Sequence, residues 1–337
     1  MIRRIEDILE KEWTELLYKS DTASWFQSKQ ALEFFASIPH IVNHFGYGVY
    51  RDNELKGICL GFVTVESNPI KQFFTRRAII NGGPLLAEDI APEEVTALMQ
   101  SIRQALEHLP WQHRPIYVET RNFNDYSRYK DAFSASGFAY RQHLNFQVPT
   151  LTVEQIKQQM DIGRQRNIRS TIKAGATIVE VPSAEQIRTF YLILRDLYRR
   201  KVRTPLFPLS FFENLRNQSD SVFLLIEYKG RIIGGTACVI VRDRCLYEWY
   251  VCGEDGVHEG VYASSFATYA GLQYAAENNL QVFDMMGAGV PDEPNGIRDF
   301  KARFGGKLVE HGRFLSIIHP FLYHFGVWGV KMLRFAK

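Results

Sequence analysis

Hydrophobic and polar positions follow two periods along this chain, and the order in which the periods appear repeats. In the first half, two stretches with apolar residues at helical spacing precede two strand-like runs that flank a polar turn, Asp52-Asn53-Glu54. The rest of this half predicts a strand, a helix, a short strand, a helix and a strand, in that order: 77–81, 91–109, 116–119, 126–136 and 139–148. Such a mixture is typical of an α+β domain.

The second half predicts a similar order of elements. A strand and a helix lead to a hairpin that turns at Lys229-Gly230, and a strand, a helix and two more strands follow: 244–252, 262–278, 282–286 and 308–318. We therefore expect an α+β domain duplicated in tandem. The predicted boundaries are a first domain over 1–150, a basic helical connection over 151–176, a second domain over 177–318 and an apolar helical tail over 319–337.

Length and composition agree with two globular domains. The chain has 337 residues, of which 46% are hydrophobic and 23% charged. A net charge of +3 is too small for a nucleic-acid-binding signature, although it favours anionic partners. The four cysteines are neither paired at short spacing nor joined by histidines, so we expect buried free thiols.

The residues at the two ends of the chain indicate where in the cell the protein is expected. The first residues are charged and amphipathic and contain no apolar signal core, so a cytoplasmic protein is expected. The tail is rich in aromatic residues and ends with Lys331, Arg334 and Lys337. Such a helix could make peripheral contact with the inner face of the membrane, or it could pack back on the first domain.

A strand that leads into a glycine-containing loop and then a helix, around Gly260, has the architecture of an anion site. GNAT acetyltransferases hold the pyrophosphate of coenzyme A in this way. Their loop pattern is not matched here, because Val257 and Tyr262 occupy the flanking positions. We therefore expect no cofactor at this loop.

The most specific motif lies near the C-terminus. A strand ends in Asp-Met-Met-Gly (284–287), a variable loop follows, and the chain continues with Gly-Ile-Arg-Asp-Phe-Lys-Ala-Arg-Phe-Gly-Gly (296–306). Glu310, Gly312 and an aromatic residue at 314 complete the run. It resembles the C-terminal signature of the FemABX family, and the Asn-Gly-Gly-Pro turn at 81–84 and the basic stretch at 166–175 are similar to family elements in the same order.

The resemblance implies two tandem GNAT-like domains, each a mixed sheet flanked by helices. It also implies transfer of an amino acid from aminoacyl-tRNA to an amine on a peptidoglycan precursor or a related lipid-linked acceptor. The coiled-coil arm of some members is absent from this sequence. Two other functions stay open: a GNAT-type N-acyltransferase that uses an acyl thioester on a cell-surface sugar or amino acid, and a non-catalytic protein that binds cell-wall fragments.

The resemblance also implies site residues. Lys301 matches the lysine proposed to stabilise the oxyanion, and Phe300 matches the aromatic residue before it. Tyr262 and Arg203 fall near positions that contact substrate, while Asp284 ends a strand next to the variable loop.

Two positions depart from the family pattern. Members carry a lysine late in the second helix for a nucleotide-linked substrate, whereas here Lys29 stands at its start. Glu119 is the nearest counterpart of a carboxylate that is sometimes assigned as base in the family. Both departures weaken the expectation of the family's nucleotide-linked acceptor.

Overall fold

A computed structural model describes most of the chain, and the chain forms two compact units. The described residues are 1–38, 41–64, 72–73, 75–150 and 152–335, with the side chains of 41–43 and 329–335 excluded. One unit comprises Met1–His143 and Glu310–Lys337, and the other comprises Leu144–Val309.

The first unit is a mixed sheet flanked by helices. Its helices are α1 (Glu10–Lys19), α2 (Lys29–Ala36), α3 (Pro92–Glu107), α4 (Lys130–Ala135) and α11 (Pro320–Phe335). Its strands are β1 (Ile2–Arg4), β2 (Ile41–Arg51), β3 (Glu54–Thr64), β4 (Arg77–Gly82), β5 (Leu85–Leu86), β6 (Tyr117–Asn122), β7 (Ala139–Arg141) and β15 (Arg313–Ile317). In the described residues the sheet order is β1-β2-β3-β4-β6-β15-β7, with β5 paired to β3. Among the described strands of this sheet, β4 and β6 are the pair that runs parallel.

The predicted polar turn joins β2 and β3. Asp52 and Asn53 both adopt positive φ, 50° and 64°. Two successive residues of this kind form the type of turn whose twist suits a two-residue hairpin, and Asn and Asp tolerate it better than most residues. The same geometry recurs at Lys229 and Gly230, so both predicted hairpins are confirmed.

The second unit is also a mixed sheet flanked by helices. Its helices are α5 (Val153–Gln159), α6 (Ile162–Lys173), α7 (Ala184–Leu197), α8 (Leu209–Arg216), α9 (Ala263–Glu277) and α10 (Gly296–Ala302). Its strands are β8 (Leu144–Pro149), β9 (Thr177–Val179), β10 (Ser221–Tyr228), β11 (Arg231–Val241), β12 (Cys245–Gly253), β13 (Val282–Gly287) and β14 (Lys307–Glu310). In the described residues the sheet order is β14-β8-β13-β12-β11-β10-β9.

The basic stretch predicted as a connection is part of the second unit. It forms α5 and α6, whose Ile156 and Ile168 are buried in the same core as the residues of α9. Capping side chains begin both helices: Thr152 accepts a hydrogen bond from Gln155 N, and Asp161 accepts one from Arg164 N. Although most residues of this stretch are polar, its apolar residues pack into the core of the second unit.

The unit boundaries differ from the predicted ones because two predicted strands are each split in two. The strand predicted over 139–148 is β7 in the first sheet and β8 in the second, and the strand predicted over 308–318 is β14 in the second sheet and β15 in the first. Gly312 makes the second break possible: its φ is +66°, and a Cβ there would lie 2.2 Å from the Tyr140 ring. Each sheet thus takes a strand from the other half of the sequence.

The tail forms α11 in the first unit. Tyr323 lies with its ring centroid 5.6 Å from that of Tyr117 on β6, so one side of the helix contacts the sheet. Phe321 is nevertheless 81% exposed. The side chains of Lys331, Arg334 and Lys337 lie outside the described residues. No helix in the described part of the chain is long and apolar enough to cross a membrane.

The four cysteines are free and buried, as predicted. Burial raises the pKa of each thiol. They are small apolar core residues in this fold.

Truncation of Phe314, on the strand β15 that completes the first sheet, should lower the stability of the protein strongly. Its side chain is 1% exposed, and its ring stacks on Phe133 with centroids 3.8 Å apart. We expect Phe314→Ala to lower the free energy of unfolding by about 3–5 kcal/mol, because the truncation leaves a cavity in a closely packed core. Urea unfolding followed by circular dichroism measures this.

Phe321→Ala is the matched control, since that ring is mostly exposed. It should change the free energy of unfolding by about 0.5 kcal/mol or less. Equal losses in the two variants would contradict the assignment of β15 to the core of the first unit.

Candidate functional site

Two parallel strands of the second unit stop pairing midway along their length. β12 and β13 pair only from Cys245 opposite Val282 to Tyr247 opposite Asp284. Beyond this point β12 continues to Gly253, with a bulge against β11 at Trp249. We call the region bounded by residues 248–253 of β12 and 285–287 of β13 the fork.

Lys301 lies at the fork. It is carried by the last turn of α10, and its Nζ donates hydrogen bonds to the carbonyl oxygens of Met285 and of Gly287, the latter at 2.8 Å. Between them Met286 has φ +61°, and β13 shifts register against β8 at this point. Lys301 is only 7% exposed, and its third N–H has no acceptor among the described residues.

Two buried carboxyl groups, Glu248 on β12 and Asp284 on β13, act on the charge of Lys301. Burial raises the pKa of Glu248 to about 7 and that of Asp284 to about 6, while the lysine charge opposes both shifts. Asp284 accepts hydrogen bonds from Gln147 Nε2 at 3.0 Å and from Met286 N at 2.6 Å. Burial lowers the pKa of Lys301, and the two carboxyl groups partly restore it. The fork therefore combines a fixed cation with two acids that titrate near neutrality.

A buried arginine fixes the helix that carries Lys301. The Arg164 guanidinium lies over the rings of both Phe300 and Phe304, 4.4 Å from each centroid. It also donates hydrogen bonds to Ser265 Oγ on α9 and to the Phe300 carbonyl oxygen, the latter at 3.2 Å. Phe300 thus acts on α10 as a stacking surface next to Lys301.

The N-terminus of α9 holds a carboxylate of the same chain. Ser264 N donates to Asp255 Oδ1 at 3.0 Å, and Ser264 Oγ donates to the other oxygen. Just before it, Tyr262 N donates to Thr171 Oγ1 at 2.9 Å. A Cβ on Gly253 would lie 2.2 Å from Ser264 N, so the end of β12 packs tightly here. The positive end of this helix is therefore already neutralised.

The three other residues predicted for substrate binding are carried by different elements from Lys301. Tyr262 is exposed just before α9, and Arg203 is exposed with φ +58° after a π-helical turn at Tyr198–Val202. Lys29 is in the first unit, where its Nζ bonds Glu10 Oε2 at 2.5 Å, and this hydrogen bond raises the pKa of Lys29. The structure brings together Phe300, Lys301 and Asp284 and leaves these three substrate-binding assignments as predictions.

Glu119 of the first unit is poorly suited to act as a base. Burial alone would raise its pKa, but the charges of Arg121 and Arg313 outweigh burial and hold the pKa of Glu119 below its ordinary value. Arg121 Nε donates to Glu119 Oε1 at 3.0 Å. A carboxylate held by two guanidinium groups binds a proton weakly.

Two residues of the fork region were missed by reasoning from the sequence. Glu248 is the one carboxylate in the otherwise apolar strand Cys245–Gly253, and an isolated acid in a buried strand is a detectable signal. Arg164 belongs to the basic run of α6, where it cannot be distinguished by composition from its solvated neighbours.

Comparisons with known proteins agree with this architecture. Residues 163–301 match the family model described as an acetyltransferase (GNAT) domain, which contains the fork and ends at Lys301. No curated protein matches the sequence.

Solved structures resemble the chain over almost its whole length. A structure of FemX has a TM-score of 0.71 at 14% identity, covering 96% of this chain and 99% of that one. A tandem GNAT protein from the clavulanic acid biosynthesis pathway has a TM-score of 0.58 at 12% identity, with coverages of 95% and 99%. The C-terminal domain of a putative lysylphosphatidylglycerol synthetase from Agrobacterium fabrum has a TM-score of 0.55 at 11% identity, with coverages of 96% and 95%.

These likenesses confirm the predicted fold of two mixed sheets flanked by helices. They also agree with the resemblance to the FemABX family inferred from the motif at 284–306. The chain therefore has the tandem GNAT fold seen in the structure of FemX, and its residues 163–301 match the GNAT acetyltransferase domain model.

Proposed function

We propose that this protein is a FemABX-like aminoacyltransferase, which moves an amino acid from aminoacyl-tRNA to an amine on a peptidoglycan precursor or a related lipid-linked acceptor. The observation that carries the proposal is the buried Lys301 ammonium, held by two carbonyl oxygens at the fork, whose charge acts on the buried Glu248 carboxyl group. An acyl-transfer site needs a fixed positive charge and a group that can accept a proton near neutral pH.

The reaction follows from these two groups. The acceptor nitrogen attacks the ester carbonyl carbon, a C–N bond forms, and the carbonyl oxygen becomes an oxyanion. The third N–H of Lys301 donates to this oxygen, while Glu248 takes the proton that the nitrogen loses. Collapse of the intermediate breaks the C–O bond, and the proton passes to the departing carrier hydroxyl.

The fork offers these groups in a water-poor setting. Two carbonyl oxygens and the α10 backbone fix the ammonium before substrate arrives, so no reorganisation is needed as the oxyanion forms. Thr236 Oγ1 lies 3.5 Å from Glu248 Oε1, and a hydrogen bond from this hydroxyl favours the ionised form of Glu248. In this proposal Asp284 positions Met286 and the carbonyl groups that bind Lys301.

The donor proposed here is an ester rather than coenzyme A, because Asp255 occupies the α9 N-terminus. A pyrophosphate at this position would meet a carboxylate instead of free N–H groups. The second candidate is an N-acyltransferase that uses an acyl thioester. It is favoured by one comparison, since the name of the clavulanic acid pathway structure refers to acetyl-CoA.

We also propose that α11 brings the protein to a membrane surface. Phe321, Phe325 and Trp328 recur at helical spacing and are 81%, 48% and 57% exposed. The sequence contains no Asp or Glu after Glu310, and three basic residues follow Trp328. Exposed aromatic residues with adjacent basic charge favour an anionic interface.

The first prediction for this function concerns Lys301→Met. Turnover should fall about a hundred- to a thousandfold, because the ammonium stabilises the transition state more than the ground state. The loss should appear in single-turnover rates far more than in acceptor affinity. Since two carbonyl groups lose their donor, stability should also fall, by about 1–3 kcal/mol.

Arg303→Met is the control, because Arg303 follows directly on α10 and is exposed. Its turnover should stay within about twofold of the wild type.

A pH profile of the rate distinguishes loss of the lysine charge from loss of structure. The wild-type rate should rise with pH through about 7 as Glu248 ionises. Without the Lys301 charge the pKa of Glu248 rises, so the midpoint should move upward. An unchanged midpoint in Lys301→Met would count against the proposed pair.

The second prediction concerns the donor. Calorimetry with coenzyme A should give no binding tighter than about 1 mM, because Asp255 already satisfies the helix N-terminus. Asp255→Ala is the informative variant, since it opens the same N–H groups. Micromolar affinity in the wild type would favour the thioester alternative.

The third prediction concerns α11. The full chain should sediment with phosphatidylglycerol vesicles and much less with phosphatidylcholine vesicles. Replacing Phe321, Phe325 and Trp328 together with serine should abolish sedimentation, because the apolar face is lost. Tyr18→Ser, at a side chain that is 76% exposed on α1, is the control and should sediment like the wild type. Retained binding in the triple variant would refute membrane contact through α11.

A further inference from the structure

One face of the first sheet carries arginine where a sheet face is usually apolar or mixed. On β6, Val118 and Thr120 are buried on one side, while Glu119 and Arg121 lie on the other. On β15 the buried Phe314 belongs to the core of this unit, so Arg313 lies on the opposite face.

The register places three arginines side by side. Arg313 on β15 is directly opposite Arg141 on β7. Leu315 on β15 is opposite Glu119 on β6. Because the two strands are antiparallel, continuing this register by two residues places Arg313 beside Arg121. We call Arg121, Arg313 and Arg141 the arginine row. Adjacent strands are about 4.8 Å apart, so the row spans roughly 10 Å across the sheet.

Within the described residues, too few carboxylates lie near the arginine row to balance its positive charge. Glu119 accepts from Arg121 Nε at 3.0 Å and from Arg313 Nη1 at 3.4 Å, and it is the carboxylate within ion-pair distance of these two arginines. Arg313 Nη2 lies 2.9 Å from His143 Nε2, and no hydrogen bond to Arg313 Nε is found among the described residues although this atom is buried.

Like charges on neighbouring strands repel one another, and this repulsion acts on Arg313. Burial lowers the pKa of Arg313, and the charge of Arg121 lowers it further against the opposing effect of Glu119. A fold that keeps such an arrangement loses stability unless an anion offsets the excess charge. Three guanidinium groups and one carboxylate leave an excess of two positive charges.

We propose that the arginine row is a binding site for a phosphate-class dianion, such as a phosphate ester or a diphosphate group of a larger ligand. Guanidinium groups bind phosphate oxygens in a bidentate manner, and three of them in a row match a group with several oxygens on neighbouring atoms. Arg141 is exposed and gives the ligand access from solvent, while Arg313 is half-buried at the centre of the row. Glu119 orients the first two arginines rather than acting as a base.

The site is distinct from the acyl-transfer groups at the fork, because all of its residues belong to the first unit. It therefore does not depend on the proposed reaction. None of the substrate residues predicted from the family resemblance belongs to it.

The test is calorimetry of the full chain with inorganic pyrophosphate, without donor or acceptor. The wild type should bind one equivalent, and Arg141→Gln should weaken binding by at least about tenfold, because one charge-assisted contact is lost. Arg141 is exposed, so this variant should fold normally. Pyrophosphate should also raise the melting temperature of the wild type but not that of Arg141→Gln.

Arg128→Gln is the matched control, since Arg128 is an exposed arginine of the same unit outside the row. It should bind pyrophosphate like the wild type. Equal affinity of Arg141→Gln and the wild type would overturn the proposal, as would equal weakening in both variants, which indicates non-specific charge attraction. Tighter binding of citrate than of pyrophosphate would also overturn it, in favour of a carboxylate ligand.

Discussion

A lysine ammonium buried at the point where two parallel strands part is the constraint on which the second unit depends. The two carbonyl groups flanking Met286 lie where β13 shifts register against β8 and no longer pairs with β12, and buried carbonyl groups require donors. Lys301 supplies those donors and ties α10 to the end of β13. The charge would be costly there without Glu248 and Asp284, so these acids are part of the same arrangement. The fork can stay open because Lys301 donates to both of these carbonyl oxygens.

The arrangement links stability to reactivity. Burial raises the pKa of Glu248 and of Asp284 and lowers that of Lys301, so each group is held away from its solution behaviour. The carboxyl groups have folded-state pKa values above those of the unfolded chain. Their contribution to stability is therefore present in full below about pH 4 and is lost as the pH rises through about 6 to 7. The protein gives up stability in the range where an acyl-transfer base is useful.

Sequence patterns predicted the local elements better than the connections between them. Both hairpins could be predicted from turns such as Asp52-Asn53, because residues such as Asn, Asp and Gly adopt the positive φ that these turns require. The split of 139–148 into two strands was not predicted, although the polar residues 141–143 mark the break, because the sequence does not show that the two pieces join different sheets. At the site, the motif indicated Lys301, Phe300 and Asp284. It did not indicate Glu248 or Arg164, because their importance comes from burial, which one sequence does not report.

The exchange of strands sets the order in which the chain can fold as it leaves the ribosome. The second unit is a continuous segment, Leu144–Val309, and is complete once that segment has emerged. The first unit lacks β15, the strand between β6 and β7, until residue 317 has been synthesised. At ordinary rates of translation the N-terminal sheet waits on the order of ten seconds or more for it. During that time β6 and β7 expose unpaired edges, which makes the amino-terminal half the part of the nascent chain most in need of chaperone protection.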